Sequence, residues 1–271
     1  MKAWKIFVSV PFGLLVEKYL PLVKERRLAV EISLDQEALD RFGFRDFKKV
    51  AEELKEAGVS CNVHAPFCDL SPGAMDSLVR EASLRRLREA FRVAVLFDPV
   101  TVVIHSGYHP GYHREMVEKW QDKAIEGFKG LLQEAGELGL KLALENVFEP
   151  RPEVLCPIFE ALPGLTWCFD PGHAFAFAKT DWRTWLPELY PYLSEIHLHD
   201  NRGEWDEHLA LGEGQIPFPE IFGFLFEKDL RPVLTIEAHQ EEAVEPSLKY
   251  LAGLISGRSP AGEGVSPRSS E

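Results

Sequence analysis

Short apolar runs alternate with longer stretches of helical periodicity along nearly the whole chain. The runs at 5–10, 28–34, 59–63, 100–104, 141–144, 166–169, 195–198 and 232–236 are rich in β-branched and aromatic residues, which predicts short buried strands. Between them, apolar positions recur at helical spacing over 14–25, 39–57, 77–97, 114–138, 152–162, 181–190, 218–227 and 242–255. Gly58 and Gly139 follow two of these helices where a left-handed terminator is expected. Asp181 stands where it can cap another.

Eight strands alternating with eight amphipathic helices predict a (β/α)8 barrel, and 271 residues suit one such domain. The barrel is expected over 1–256. The segment 257–271 is rich in Gly, Ser and Pro and is expected to be a disordered tail. A doubly wound open sheet fits less well, because no glycine fingerprint follows the first strand. The P-loop and GxSxG motifs are also absent.

The remaining composition narrows the partners. No apolar run approaches a membrane span. The stretch 2–16 lacks a small-residue cleavage site and runs on into a helical pattern, so strand plus helix is expected there rather than a leader. Cys61, Cys68, Cys156 and Cys168 show no zinc-ribbon or CxxC spacing, which predicts reduced thiols in a cytoplasmic protein. A formal net charge of −13 leaves no basic footprint for nucleic acid, which disfavours that partner without excluding a local groove.

The candidate chemistry sits at the ends of the strands. His64, His105, Glu145, Asp170, His197 and Glu237 end strands three to eight, and His173, Asp206 and His208 lie just beyond strands six and seven. In a barrel those ends open on one face, the C-terminal face, where the loops build the site. Imidazoles mixed with carboxylates suit Zn²⁺ or Mn²⁺. Glu145, Asp170, Asp206 and Glu237 gathered in one pocket would repel each other and raise their own pKa values, a penalty that divalent cations remove. Two to three ions are expected, with Glu145 and Glu237 as bridges.

With these residues in place the chain resembles the xylose-isomerase-like TIM-barrel superfamily, which includes endonuclease IV and many sugar or sugar-phosphate isomerases and epimerases. The resemblance runs to about Gly257 and is carried most specifically by DPGHAFA and by DEHLALGEG. It implies a single-metal site of Glu145, Asp170, His197 and Glu237. Endonuclease IV holds three zinc ions, and its further ligand positions match His64, His105, His173, Asp206 and His208. The chain departs from the nuclease around that site. The loop after strand two, 35–40, is acidic, and no basic residue follows His64 closely.

Three functions follow as expectations. The first is a metal-dependent isomerase or epimerase of a small sugar or sugar phosphate, with Glu145 and Glu237 moving a proton beside a carbonyl. Arg202 or Lys179 would hold a phosphate or carboxylate, and Phe67 and Trp205 would line a sugar pocket. The second is metal-assisted hydrolysis of a phosphodiester or other ester, of the endonuclease IV type that cuts at abasic sites. The third is a barrel that binds metal or ligand without catalysis.

Overall fold

In the computed structural model, which describes residues 4–257, every expected strand forms. They are β1 (Ile6–Pro11), β2 (Val30–Ser33), β3 (Cys61–His64), β4 (Val102–His105), β5 (Leu142–Glu145), β6 (Thr166–Phe169), β7 (Leu193–Leu198) and β8 (Val233–Ile236). Each pairs in parallel with the next, and β1 closes on β8, so the sheet is a closed eight-stranded barrel. All but the first residue of the expected tail lies outside the described residues. Among the described residues no helix is long and apolar enough to cross a membrane.

Alternation along the strands divides the buried side chains into two sets. Val30, Ile32, Val102, Ile104, Leu142, Leu144, Trp167, Phe169, Ile196, Leu198, Leu234 and Ile236 join the helices in the main hydrophobic core. The alternate positions face the barrel axis. There Val103, Ala143 and Cys168 form a small separate apolar cluster. Glu31, Asn62, Glu195 and Thr235, all fully buried, form a polar network beside it. The same alternation carries His64, His105, Glu145, His197 and Glu237 to the upper end of the axis, directly above that network.

Helix boundaries depart from expectation where backbone chemistry intervenes. The helix expected over 39–57 is two helices, Gln36–Arg41 and Phe44–Glu56, separated at Gly43. Asp35 caps the first through Ala38 N, and Asp46 reaches back to Gly43 N to start the second. The acidic loop after β2 is therefore largely a helix start. An unexpected short helix, Pro171–Ala176, begins immediately after β6 because Asp170 caps it through His173 N at 2.7 Å. The cysteines are all free, and Cys61 and Cys168 are buried.

The loop after β3 is clamped onto helix Val117–Glu137 at Gly127. A Cβ there would lie 2.6 Å from the Pro72 carbonyl oxygen, so backbone rather than a flexible side chain blocks it. Gly127→Ala should gain helix propensity but lose more to overpacking, a net destabilisation of about 1–3 kcal/mol. Urea denaturation measures it. Unchanged or raised stability would show that the loop yields freely.

Candidate metal centre

Glu145 lies at the centre of the barrel mouth and is 1% exposed. Its Oε2 stands 3.2 Å from His64 Nε2 and 3.1 Å from His105 Nε2. Its Oε1 stands 3.2 Å from His173 Nδ1 and 3.3 Å from His197 Nδ1. One carboxylate thus faces four imidazoles, two on each oxygen. The remaining carboxylates extend the array. Asp170 Oδ2 is 3.0 Å from His199 Nε2 and 3.5 Å from His173 Nδ1. Asp206 Oδ2 is 2.9 Å from His208 Nε2 and 3.4 Å from His173 Nε2. Glu237 Oε1 is 3.4 Å from His197 Nδ1.

All nine residues singled out as ligands therefore converge on one pocket. Its charge state differs from expectation. Burial would raise the carboxyls of Glu145, Asp170 and Asp206, as mutual repulsion would, yet all three are held below their ordinary range. The reason is interleaving: each carboxylate has histidines as neighbours, and their charges and hydrogen bonds outweigh desolvation. Burial would likewise lower His173, but Asp170, Asp206 and Glu145 raise it well above its ordinary value. His105 is the exception, with burial pushing it down to about 4.

Supporting contacts aim the rings. His64 Nδ1 lies 2.8 Å from the Ala65 carbonyl, so that nitrogen donates and Nε2 is left toward Glu145. His208 Nδ1 lies 3.1 Å from the Glu237 carbonyl, leaving Nε2 toward Asp206. His208 is also sandwiched between the rings of His199 and His239, with centroids 3.8 and 3.7 Å away. Asn146 holds Asp170 by both edges of its amide, donating to the Asp170 carbonyl and accepting its N–H. Outer nitrogens fixed by oxygen atoms, with inner nitrogens converging on carboxylates, are the supporting arrangement typical of histidine metal ligands.

The DEHLALGEG segment has its own anchor. Asp200 Oδ2 accepts from Gly212 N and Gly214 N, and Oδ1 accepts from Asn201 N and Ile216 N, all at 2.9–3.1 Å. Asp200 and Leu209 form an antiparallel bridge. The turn thus wraps a buried carboxylate and delivers Asp206 and His208 to the pocket. His208 adopts φ 51°, a left-handed conformation that few non-glycine residues take.

Two contributors escaped the sequence reading. His199, 1% exposed, sits two residues after His197 and lies between Asp170 and Asp206. Gly172 makes room for it: a Cβ there would come within 2.2 Å of His199 Cε1. Glu31 lies 3.4 Å from His197 Nε2, behind the pocket. The charge of His197 holds Glu31 low against its burial, while burial and the charge of Glu31 push Glu195 well above its ordinary value.

The arrangement fits divalent cations. Several groups of three or more residues, including His64 with Glu145 and His197, and Asp170 with His173 and His199, bring ligand atoms within 4.8 Å of one another. Buried Glu31 Oε1, His197 Nε2, His199 Nδ1 and Asp206 Oδ1 have no hydrogen-bond partner, which a cation or a proton at the pocket would relieve.

The proposed substrate contacts divide differently. Phe67 reaches the pocket and stacks on His105 at 4.4 Å. Arg202 is turned to Glu207, and Lys179 to the Gly203 carbonyl. Trp205 is 74% exposed on the same loop.

The sequence profile for the xylose isomerase-like TIM barrel matches residues 28–254. A Methanocaldococcus jannaschii protein named only as uncharacterised is 32% identical over 204 residues, 71% of this chain and 69% of its own length. Among solved structures, a D-tagatose 3-epimerase-like protein superposes with a TM-score of 0.80 at 27% identity, covering 94% of this chain and 98% of that one. A Thermus thermophilus protein soaked with zinc chloride superposes with a TM-score of 0.78 at 29% identity, covering 97% and 100%.

Glu31→Gln should lower metal affinity about 10–100-fold, because Gln cannot supply the anion that orients and polarises His197. Competition with a chromophoric chelator reads the affinity, and circular dichroism of the metal-free variant checks the fold. A folded variant with unchanged affinity would show that Glu31 merely fills space.

Proposed function

Because the chain belongs to the xylose isomerase-like TIM barrel family, we propose that it is a metal-dependent isomerase or epimerase of a small sugar. The observation that carries this reading is the cluster of interleaved histidines and carboxylates at the open end of the barrel. The D-tagatose 3-epimerase-like neighbour supports the sugar class. Glu145, Asp170, His197 and Glu237 would hold one divalent ion. His64, His105, His173, Asp206 and His208 would complete sites for one or two more, with Zn²⁺ or Mn²⁺ suiting the donors. Such an ion supplies a Lewis acid that polarises a carbonyl oxygen of the substrate.

The two catalytic carboxylates differ in access. Glu145 is enclosed by imidazoles, whereas the Glu237 side chain is 15% exposed. Glu237 is therefore assigned to take the proton from the carbon beside the carbonyl. Glu145 is assigned to deliver a second proton, which it must carry when the sugar binds, and the proton held by Glu237 is then lost to solvent. Delivery to the same carbon from the other face inverts that centre, and delivery to the neighbouring carbon isomerises the sugar. Arg202 is turned to Glu207 and Lys179 to the Gly203 carbonyl, which favours an uncharged sugar over a sugar phosphate.

The completeness of the nine-residue set also favours metal-assisted hydrolysis as a second reading. The acidic chain and the capped helix after β2 argue against abasic DNA as its substrate.

Manganese-loaded protein in deuterated water should epimerise D-fructose, D-tagatose or D-psicose and label the inverted carbon. Glu237→Gln should slow labelling about 10²–10⁴-fold, with metal content measured alongside. Absence of labelling together with chelator-sensitive incision of abasic duplex at catalytic enzyme concentrations would replace this reading with the hydrolase.

A further inference from the structure

A cavity bounded by the loops that follow β3, β4 and β5 reaches the candidate metal centre at His105. Its volume is about 820 Å³. Sites that enclose a drug-sized ligand span ~300–1,000 Å³, so this space exceeds what one sugar ring would fill. Its rim carries Phe67 (44% exposed), Met75 (40%), Tyr112 (74%), Met116 (38%) and Phe148 (37%). Single exposed apolar side chains are ordinary on a protein surface, but five around one cavity mark a binding face.

The cavity is continuous with the chemistry. His105 belongs to both, and the Phe67 ring that stacks on it forms the shared wall. On the far side Phe148 packs on Phe177 at 4.7 Å, and Phe177 stacks on His173 at 5.5 Å. Aromatic rings therefore abut both His105 and His173, two of the candidate ligands. The charge of the cavity selects against anions. Its lining includes Asp69 and Asp76 and neither Lys nor Arg. His113 accepts from His109 N and is held below its ordinary pKa by burial, so it offers no strong cation.

We propose that this cavity is a second substrate subsite, and that the substrate is an uncharged sugar that keeps a carbonyl, such as a glycoside with a keto group on its ring, and bears a flat apolar group. This rests on the sugar reading above. The sugar ring occupies the histidine–carboxylate pocket, while its apolar arm crosses Phe67 and lies against Tyr112, Met116 and Phe148. Aromatic walls suit a flat apolar arm through stacking and burial.

The test is calorimetric titration of the full-length manganese-loaded protein with phenyl β-D-glucopyranoside and methyl β-D-glucopyranoside. The phenyl glycoside should bind at least about tenfold more tightly, a difference of ~1.4 kcal/mol. Tyr112→Ser and Met116→Lys, both on the exposed rim, should remove that preference. Affinities within twofold of each other, or no binding of either glycoside, would overturn the subsite even if ketoses are turned over. A dimer dispersed by Met116→Lys, with no phenyl preference, would overturn it in favour of an interface between copies. A phenyl preference lost in both variants, without ketose epimerisation, would support the glycoside subsite and remove the epimerase reading alone.

Discussion

A carboxylate withdrawn from water and surrounded by four imidazoles is the constraint on which the rest of this barrel depends. Glu145 cannot be charged there without positive or polarised partners, and the histidines cannot crowd together without a negative centre between them. The partners come from different strands, so the site exists only when the barrel is closed. His64 arrives from β3, His105 from β4 and His197 from β7, with His173 carried by the short helix after β6. Without cations the constraint is met by neighbouring carboxylates that raise the pKa values of His64, His173 and His197 against their burial. Divalent cations would meet it more completely, since they would also engage His199 Nδ1 and Asp206 Oδ1, buried and without hydrogen-bond partners.

The layers beneath and around the site serve that same constraint. Below, Asn62 and Thr235 each donate to Glu195 at 2.7 Å, and Glu195 in turn neighbours the Glu31 that backs His197. A fully apolar barrel interior would be simpler to pack, and it is apolar where Val103, Ala143 and Cys168 meet. Polar residues concentrate instead on the side below His197. Around the mouth, Asp200 gathers four backbone N–H groups so that Asp206 and His208 are held on an ordered turn. The loop after β3, fixed against Gly127, shapes the apolar cavity that opens off His105.

Much of this was legible in the sequence, for a physical reason. A parallel barrel buries both faces of every strand, so its strands read as short apolar runs, and a polar residue at a run's end stands out. His64, His105, Glu145, His197 and Glu237 were visible on that basis, and Asp170 stands immediately after β6. Glu31 was not, because a single Glu between Val30 and Ile32 looks like an ordinary solvent-facing strand position. His199 was available from the period-two rule, since it lies two residues after His197, but it was not singled out because it falls just past the end of the strand. The expectation of raised carboxylates failed at Glu145, Asp170 and Asp206 because sequence order does not show how histidines interleave in space. Gly43 splits a helix through a cap that depends on Asp46, a side-chain choice that helical periodicity does not report.

The central claim is that the second half of the histidine array is ligand rather than scaffold, so that Glu145 serves more than one ion. Elemental analysis of the full chain saturated with zinc or manganese and freed of excess metal tests this directly, beside the His105→Ala variant. The account predicts at least two ions per chain in the parent protein and a lower count in the variant, with the fold retained. One ion per chain in both proteins would contradict it, leaving His64, His105, His173, Asp206 and His208 as polar neighbours of a single metal.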